Sequence, residues 1–436
     1  MSSSGILSNE ECRSIIQACL KENDFNDVKV EIKPLEGAPA GFMSEHYRIR
    51  LQVEFPDNTV REFKFFAKTV PRKVPLHTAY VEDSGAYFKE TYFYSKVMPG
   101  LQTHRVKDEG TANGDESFKN HRWAPQCFLT RPDIVVLQDL SVYNMKLFNS
   151  RELMDFKHCE VILREIADFH AATVILEEKQ ALISNKHCDI NEIYPVVFDE
   201  SITSSLSDDD SKGWFKAGVR SVLPLVDLLP KYKDNHEVRD LIRNKISEAC
   251  KRLEILVGTS KKYRNVVCHG DLWANNILLQ YNEEGEPQEA RFVDFQLVRY
   301  TPPAHDVMCF LHLTTDRAFR DVHSDKLLSV YYNAFSTELH RNGLDPGTLL
   351  SWAEFKESCI YLRELAVITA LLYFQMTLMK GEIIASIISD PEAFDRFMLV
   401  DRSVEVCASF QTDQVYRDRL NEAMEELIDV YILNRK

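Results

Sequence analysis

Apolar and polar residues alternate with a period of two in the first third of the chain. In HYRIRLQVEF, Tyr47, Ile49, Leu51, Val53 and Phe55 take one face, and His46, Arg48, Arg50, Gln52 and Glu54 take the other. VKVEIK alternates in the same way through Val28, Val30 and Ile32. A period this regular predicts half-buried antiparallel strands. Pro56-Asp57-Asn58 supplies a turn, after which REFKFFAKTV returns as a third strand. QCFLT and IVVLQDL, flanking the turn Arg131-Pro132-Asp133, read as two more. Helices are predicted over 8–22, with Ser8 as N-cap and Glu10 and Glu11 in the first turn, and over 84–97.

Beyond about residue 140 the period becomes helical. ELMDFKHCEVILREIADFHAATVILEE carries Phe156, Leu163, Ile166, Ala167 and Val174 at helical spacing. Segments 213–229, 235–256, 325–341, 352–380 and the stretch from about 413 read as helices, and 203–212 as a polar loop. One β island, NILLQY and ARFVDF joined by NEEGEP, interrupts them. The layout is α+β and two-lobed: a β-rich first lobe, 1–140, with a five-stranded antiparallel sheet plus one helix, and a mainly helical second lobe, 141–436.

Composition narrows the partners. Among 436 residues, 52 are Lys or Arg and 67 are Asp or Glu, a net charge of 52 − 67 = −15. That balance argues against nucleic acid and anionic membrane surfaces, which want a basic patch. The ten cysteines include no CxxC pair, so neither a zinc ribbon nor a disulfide framework is expected. MSSSGILSNEECRS lacks the character of a signal peptide. The uncharged run Leu365–Met379 is shorter than the ~20 residues of a membrane span. A reduced, cytoplasmic, monomeric protein is the expectation.

The strongest chemical signal is His269-Gly270-Asp271-Leu272-Trp273-Ala274-Asn275-Asn276, followed by Val293-Asp294-Phe295-Gln296. Phosphoryl transfer needs a carboxylate to orient the attacking hydroxyl and take its proton, and oxygen ligands to hold Mg²⁺ on the triphosphate. Asp271, with Asn276 five residues on, has the spacing of a kinase catalytic loop: Asp as base, Asn as metal ligand. Asp294, at the end of the second hairpin strand, is placed to be the other metal ligand. The competing reading makes Asp271 a turn residue and Asp294 a strand terminator. Four fixed residues at this spacing arise by chance in on the order of 10⁻³ chains of this length.

Two residues of the first lobe agree. Lys68 ends the apolar strand FKFFAK, where a cation is unwelcome. Glu90 lies in a predicted helix among Ala86, Tyr87, Phe93, Tyr94 and Val97. A carboxylate on an apolar stripe is costly without a partner. A Lys68–Glu90 ion pair meets both needs and leaves the ammonium facing nucleotide phosphates from the opposite lobe. Otherwise Lys68 is an edge-strand charge and Glu90 a solvated residue.

Together these motifs resemble the kinase-like phosphotransferases, which include aminoglycoside phosphotransferases and choline kinases. HGDLWANN, FVDFQ, VVLQDL, FAKTVP and FKETYFYSKVMP resemble most closely the insect ecdysteroid kinase-like family, from about residue 25 to 420. The resemblance implies ATP and Mg²⁺ as cofactors. It implies a nucleotide-covering loop over Gly37–Ser44, with Gly41 and Ser44 near phosphate, though two glycines do not make a Gly-x-Gly-x-x-Gly pattern. Gln138-Asp139-Leu140 would be the hinge that reads adenine; a plain strand end predicts the same residues. Asp306 would brace the catalytic loop or, equally, cap the following helix. His269 would be structural, Trp273 would line the acceptor site or pack, and His170 reads as a satisfied core histidine.

The acceptor is least legible. The helix ELAVITALLYFQMTLM is apolar nearly all round, which fits a lipophilic alcohol better than a sugar, and fits a plain lobe core as well. The expected activity is transfer of phosphate from ATP to a small-molecule hydroxyl, an ecdysteroid or xenobiotic alcohol. The alternatives are a choline/ethanolamine or aminoglycoside-type kinase, and a silent ligand-binding relative. A protein kinase is disfavoured, since only about a dozen residues separate Asp294 from the helix near 306, too few for a long activation segment.

Overall fold

The computed structural model describes residues 5–20, 24–35, 44–71, 85–103, 123–198 and 213–434. The chain divides into two compact units: Met1–Thr103, Lys107–Lys146 and Leu278–Gln296 form the first, and His104–Val106, Leu147–Ile277 and Leu297–Lys436 the second.

The first unit is built on an antiparallel sheet of β1 (Asp27–Pro34), β2 (Glu45–Glu54), β3 (Val60–Thr69), β4 (Cys127–Arg131) and β5 (Ile134–Gln138), in the order β1-β2-β3-β5-β4. Asn58 closes the β2–β3 turn at φ 63°, a conformation asparagine tolerates. Alternation sorts the faces. Ile49, Leu51, Val53, Phe65, Ala67, Ile134 and Val136 pack against Cys12, Ile15 and Ile16 of α1 (Asn9–Leu20). α1 starts with a reciprocal capping box: the Glu11 N–H donates to Ser8 Oγ (3.2 Å) and the Ser8 N–H to Glu11 Oε2 (2.7 Å). The other face of the sheet carries Phe66 and Lys68, with Lys68 opposite His46 on β2 and Val135 on β5.

Helix α2 (Ala86–Tyr92) runs on through a π-helical turn at Phe93–Val97 and the turn Met98–Thr103. The sequence predicts one uninterrupted α-helix there. The wider turn places consecutive rings Phe93 and Tyr94 against Phe295, with Phe93 stacked at 4.3 Å and Tyr94 edge-on at 5.6 Å.

The second unit is helical: α3 (Phe156–Ser184), α4 (Trp214–Leu228), α5 (His236–Lys251), α6 (Ala304–Thr314), α7 (Arg317–Arg341), α8 (Trp352–Thr377) and α9 (Gln414–Glu426). Every residue of α6 is buried, and α6 packs along α8. α7 starts earlier than its apolar spacing predicts, because the Asp316 carboxylate caps it by accepting from the Phe319 N–H (2.7 Å). By length and composition α8 is long and apolar enough to cross a membrane, but 72% of its most apolar window is buried inside the protein.

Buried charge ties α9 to this core. Glu426 accepts from Arg363 (2.6 Å) and Arg320 (3.1 Å), while Arg419 donates to the Thr315 carbonyl (2.6 Å). His312 donates from Nδ1 to the Met308 carbonyl (2.8 Å); burial, reinforced by Arg320, lowers its pKa to about 4.

Two short strands absent from the sequence expectation, β6 (Val266–Cys268) and β9 (Arg299–Thr301), pair antiparallel. The hairpin β7 (Ile277–Tyr281) and β8 (Pro287–Phe292) lies between them in the chain. β8 ends at Phe292, so Asp294 stands two residues beyond the strand, not at its end. There it takes φ 68°, in the left-handed region.

Candidate active site

In the first unit the sheet register sets Lys68 beneath α2. Its Nζ lies 2.7 Å from Glu90 Oε2 and 2.5 Å from Asp294 Oδ1. The Lys68 side chain is 6% exposed, Glu90 1% and Asp294 26%. Burial works against the lysine's charge, but Asp294 and Glu90 outweigh it and hold the ammonium above the usual lysine range. Burial also raises the pKa of Glu90, and Lys68 opposes that rise. The Tyr87 hydroxyl donates to the Lys68 carbonyl, tying the start of α2 to the same strand. Asp294 is fixed on its other side by the stacking of the next residue, Phe295, on Phe93. A left-handed, non-glycine residue anchored in this way is a conformation that functional sites over-determine.

In the second unit, β6 delivers the loop 269–276. Gly270 takes φ +79°, and a Cβ there would lie 2.2 Å from the Leu297 carbonyl oxygen, so only glycine fits. Asp306 holds the loop from below. Its Oδ2 accepts from the His269 N–H (2.6 Å) and its Oδ1 from the Gly270 N–H (2.9 Å). The N-cap position of α6 belongs to Pro303, which decides between the two roles considered for Asp306. His170 is fully buried, with Nδ1 against the Tyr331 hydroxyl (2.8 Å) and Nε2 against Asp306 (3.2 Å), the satisfied core histidine of the sequence expectation. His170, Cys268 and Asp306 are close enough to suggest a metal trio, but the Cys268 thiol donates to the Thr301 carbonyl and Asp306 is occupied by amides. They form a brace.

Asp271 and Asn276 meet as their spacing requires. Asn276 Nδ2 donates to Asp271 Oδ2 (2.8 Å) and to the Asp271 carbonyl (2.8 Å). The amide nitrogen is thereby spent on the carboxylate, which leaves Oδ1 as the ligand atom. Asn276 Oδ1 and the Asp294 carboxylate are hard oxygen donors, the chemistry Mg²⁺ takes. Asp271 and Asn276 belong to the second unit, and Asp294 belongs to the first with Lys68 and Glu90.

The remaining expected site residues divide. Gly41 and the loop before Ser44 lie outside the described residues. Ser44 is buried, with its hydroxyl 3.0 Å from His46 Nε2. Gln138 closes β5: its N–H donates to the Gln126 carbonyl (2.8 Å) and its side-chain amide to the Tyr143 hydroxyl (3.0 Å). Leu140 opens a 3₁₀ turn capped by Asp139, so its own N–H, at the first helical position, is not used inside that turn. Leu140 packs with Met145, Leu278 and Val293.

Three residues escaped the sequence reading. His46 reads as one of a row of outward polar residues, but the register sets it opposite Lys68; burial, with Lys68's charge, lowers its pKa to about 4. Arg299 is buried on β9 beside Gly270. Tyr373 sits in the most apolar stretch of α8, where burial and the Asp271 charge hold its pKa well above the usual tyrosine range. No local pattern marks any of the three.

The fold class these features define is the two-lobed α+β kinase-like fold, β-rich in its first part and helical in its second. The ecdysteroid kinase-like family model matches residues 39–344, and the chain belongs to that family. It is a small-molecule kinase-like protein. No curated protein matches the chain.

Proposed function

We propose that this chain is an ATP- and Mg²⁺-dependent kinase of a lipophilic small-molecule alcohol, an ecdysteroid or a xenobiotic, acting in the cytoplasm. The observation that carries the reading is Lys68, a buried ammonium held by Glu90 and Asp294 at 2.7 and 2.5 Å. A protein that only sequesters an apolar ligand gains nothing from burying an ammonium and a carboxylate, which is costly unless they are used.

In this reading Lys68 holds nucleotide phosphate oxygens, with Glu90 fixing its position. Leu140 offers its N–H to the adenine edge, and Ser44 lies at the end of the phosphate-covering loop. Asn276 Oδ1 and Asp294 hold the metal, which when bound neutralises the triphosphate charge. Asp271, its carboxylate oriented by the Asn276 amide, accepts the acceptor's hydroxyl proton. The acceptor oxygen forms a bond to the γ-phosphorus as the bond from that phosphorus to the bridging oxygen breaks. ADP leaves with the bridging oxygen's electron pair, and the proton passes from Asp271 to solvent.

Asp271→Asn removes the proton acceptor while keeping its shape. The expected result is a fall in phosphate transfer of about 10²–10⁴-fold with nucleotide binding and melting temperature retained. Undiminished transfer by that variant overturns the base assignment. A wild-type protein that binds no Mg·ATP overturns the kinase reading altogether.

A further inference from the structure

In the first unit, His46 on β2 stands directly opposite Lys68 on β3. Residues paired in this way share one face of the sheet, with Cβ atoms about 4.5–5.5 Å apart. Lys68 presents its ammonium on that face to Glu90 and Asp294, so imidazole and ammonium occupy the same side. The His46 ring also meets Phe66, two residues before Lys68, with centroids 5.2 Å apart. Its Nε2 lies 3.0 Å from the Ser44 hydroxyl. The other ring nitrogen, Nδ1, has no hydrogen-bond partner among the described residues, and the residue is only half-buried.

This setting suits a group that changes its charge. A hydroxyl donates to a bare imidazole nitrogen and accepts from a protonated one, so Ser44 serves His46 in either state. In the protein alone the neutral ring is favoured: burial and the Lys68 charge lower its pKa to about 4, with Asp294 opposing them in part. The remaining neighbours leave that balance alone. Glu90 on α2 is spent on Lys68 (2.7 Å). Leu35, which donates its N–H to the His46 carbonyl, and Val135 on β5, across from Lys68, are uncharged. Lys33 on β1 is paired with Glu31 (2.7 Å), and Arg48, next on the same face of β2, is exposed. A triphosphate gathered at Lys68 would tip the balance. A unit charge about 6 Å away, at an effective dielectric of ~20, moves a pKa by about two. Nucleotide phosphates bring more than one negative charge, enough to carry His46 into the neutral range.

We propose that His46 is a second phosphate-binding residue of the nucleotide site, held at Nε2 by Ser44, and that it takes up a proton from solvent as the triphosphate arrives and offers Nδ1–H to a phosphate oxygen. This deepens the kinase reading and rests on its assignment of Lys68 to the phosphates. The one bond formed in the step is the N–H at the ring; the proton comes from water or buffer. Lys68 supplies a standing charge and His46 one that exists only with nucleotide bound, so the empty site is spared a second cation beside the first.

The test follows binding of a non-hydrolysable ATP analogue with Mg²⁺ to the full chain, without turnover. Calorimetric titration at pH 7 in two buffers of different ionisation enthalpy counts the protons taken up, and Kd is measured from pH 6 to pH 8. With a bound-state pKa near about 7, the wild type takes up about half a proton at His46, and its Kd rises about tenfold from pH 6 to pH 8. His46→Gln keeps a hydrogen-bonding side chain that does not titrate. Its uptake is lower by that half proton; it binds about tenfold more weakly than the wild type at pH 6 and nearly as well at pH 8. Glu90, whose pKa burial also raises, and the analogue itself titrate in both proteins, so the difference between them reports His46. The proposal is overturned if His46→Gln takes up as many protons as the wild type, or if the two Kd profiles run parallel from pH 6 to pH 8. Should melting show that His46→Gln does not fold, His46→Asn, with a shorter amide, decides the same point. A wild type that binds no analogue overturns the kinase reading, and the role of His46 with it. Binding whose proton uptake ignores position 46 overturns the role of His46 alone.

Discussion

Replacing Lys68 by Met removes a charge and keeps the length of the side chain. Its ammonium now sits 2.7 Å from Glu90, which is 1% exposed, and 2.5 Å from Asp294, which is 26% exposed. Asp294 can turn to water and Glu90 cannot, so the variant strands one buried carboxylate. Breaking a buried pair by removing one partner costs about 3–5 kcal/mol. Glu90 escapes part of that cost by taking up a proton, since burial already drives its pKa upward. The unfolded chain ionises the same group near about pH 4.3. Above that pH the folded variant binds more protons than the unfolded one, so its stability falls as pH rises. At pH 5 the gap is roughly 0.7 unit, or about 1 kcal/mol, and by pH 8 the penalty approaches the full 3–5 kcal/mol or so. Adding Glu90→Gln removes the stranded charge and should recover most of the loss at pH 8. Urea denaturation of wild type, both single variants and the double variant at pH 5 and pH 8 measures all of this. A Lys68→Met penalty independent of pH, or a double variant no more stable than Lys68→Met at pH 8, refutes the buried-pair argument.

Gly270→Ala puts a Cβ 2.2 Å from the Leu297 carbonyl at φ +79°; a loss of roughly 2–4 kcal/mol, read by thermal melting, should accompany loss of phosphate transfer. Asp306→Ala orphans the buried N–H groups of His269 and Gly270. At about 1–3 kcal/mol for each unmatched donor the fold weakens measurably, and kcat should drop more than KM for ATP rises, since the loop carries Asp271. His312, with its pKa lowered to about 4 by burial and Arg320, binds fewer protons when folded, so its contribution is complete above about pH 6.5 and is lost as pH falls toward 4. His312→Gln should flatten the stability profile over that window by about 3 kcal/mol; an unchanged slope in urea titrations at pH 7 and pH 4.5 counts against it.

Much of the architecture is legible along the chain because half-buried strands must alternate. Tyr47 to Phe55 show their period directly, and the capping box at Ser8 and Glu11 marks the start of α1. The loop residues are legible for a different reason. Asp271 and Asn276 are near neighbours in sequence, so their contact is local and their spacing encodes it. Asp294 is found by its motif, but the left-handed turn that carries it past the end of β8 is not, because its stabilisation comes from Phe295 stacking on Phe93, about two hundred residues away. Lys68 and Glu90 stand between these cases: each is a charge in an apolar run, and each anomaly names the need for a partner without naming the partner.

The sequence alone determined most of the longer strands and helices, which carboxylates and amide carry the motif, and which family the chain resembles, since period and spacing are properties of neighbouring residues. Only the tertiary structure decided that Asp306 braces the loop, that His46 faces Lys68, and that Trp214 meets Tyr373 edge-on. Those contacts join distant segments, and a side chain chosen to fit a distant surface leaves no periodic trace in its own stretch of chain.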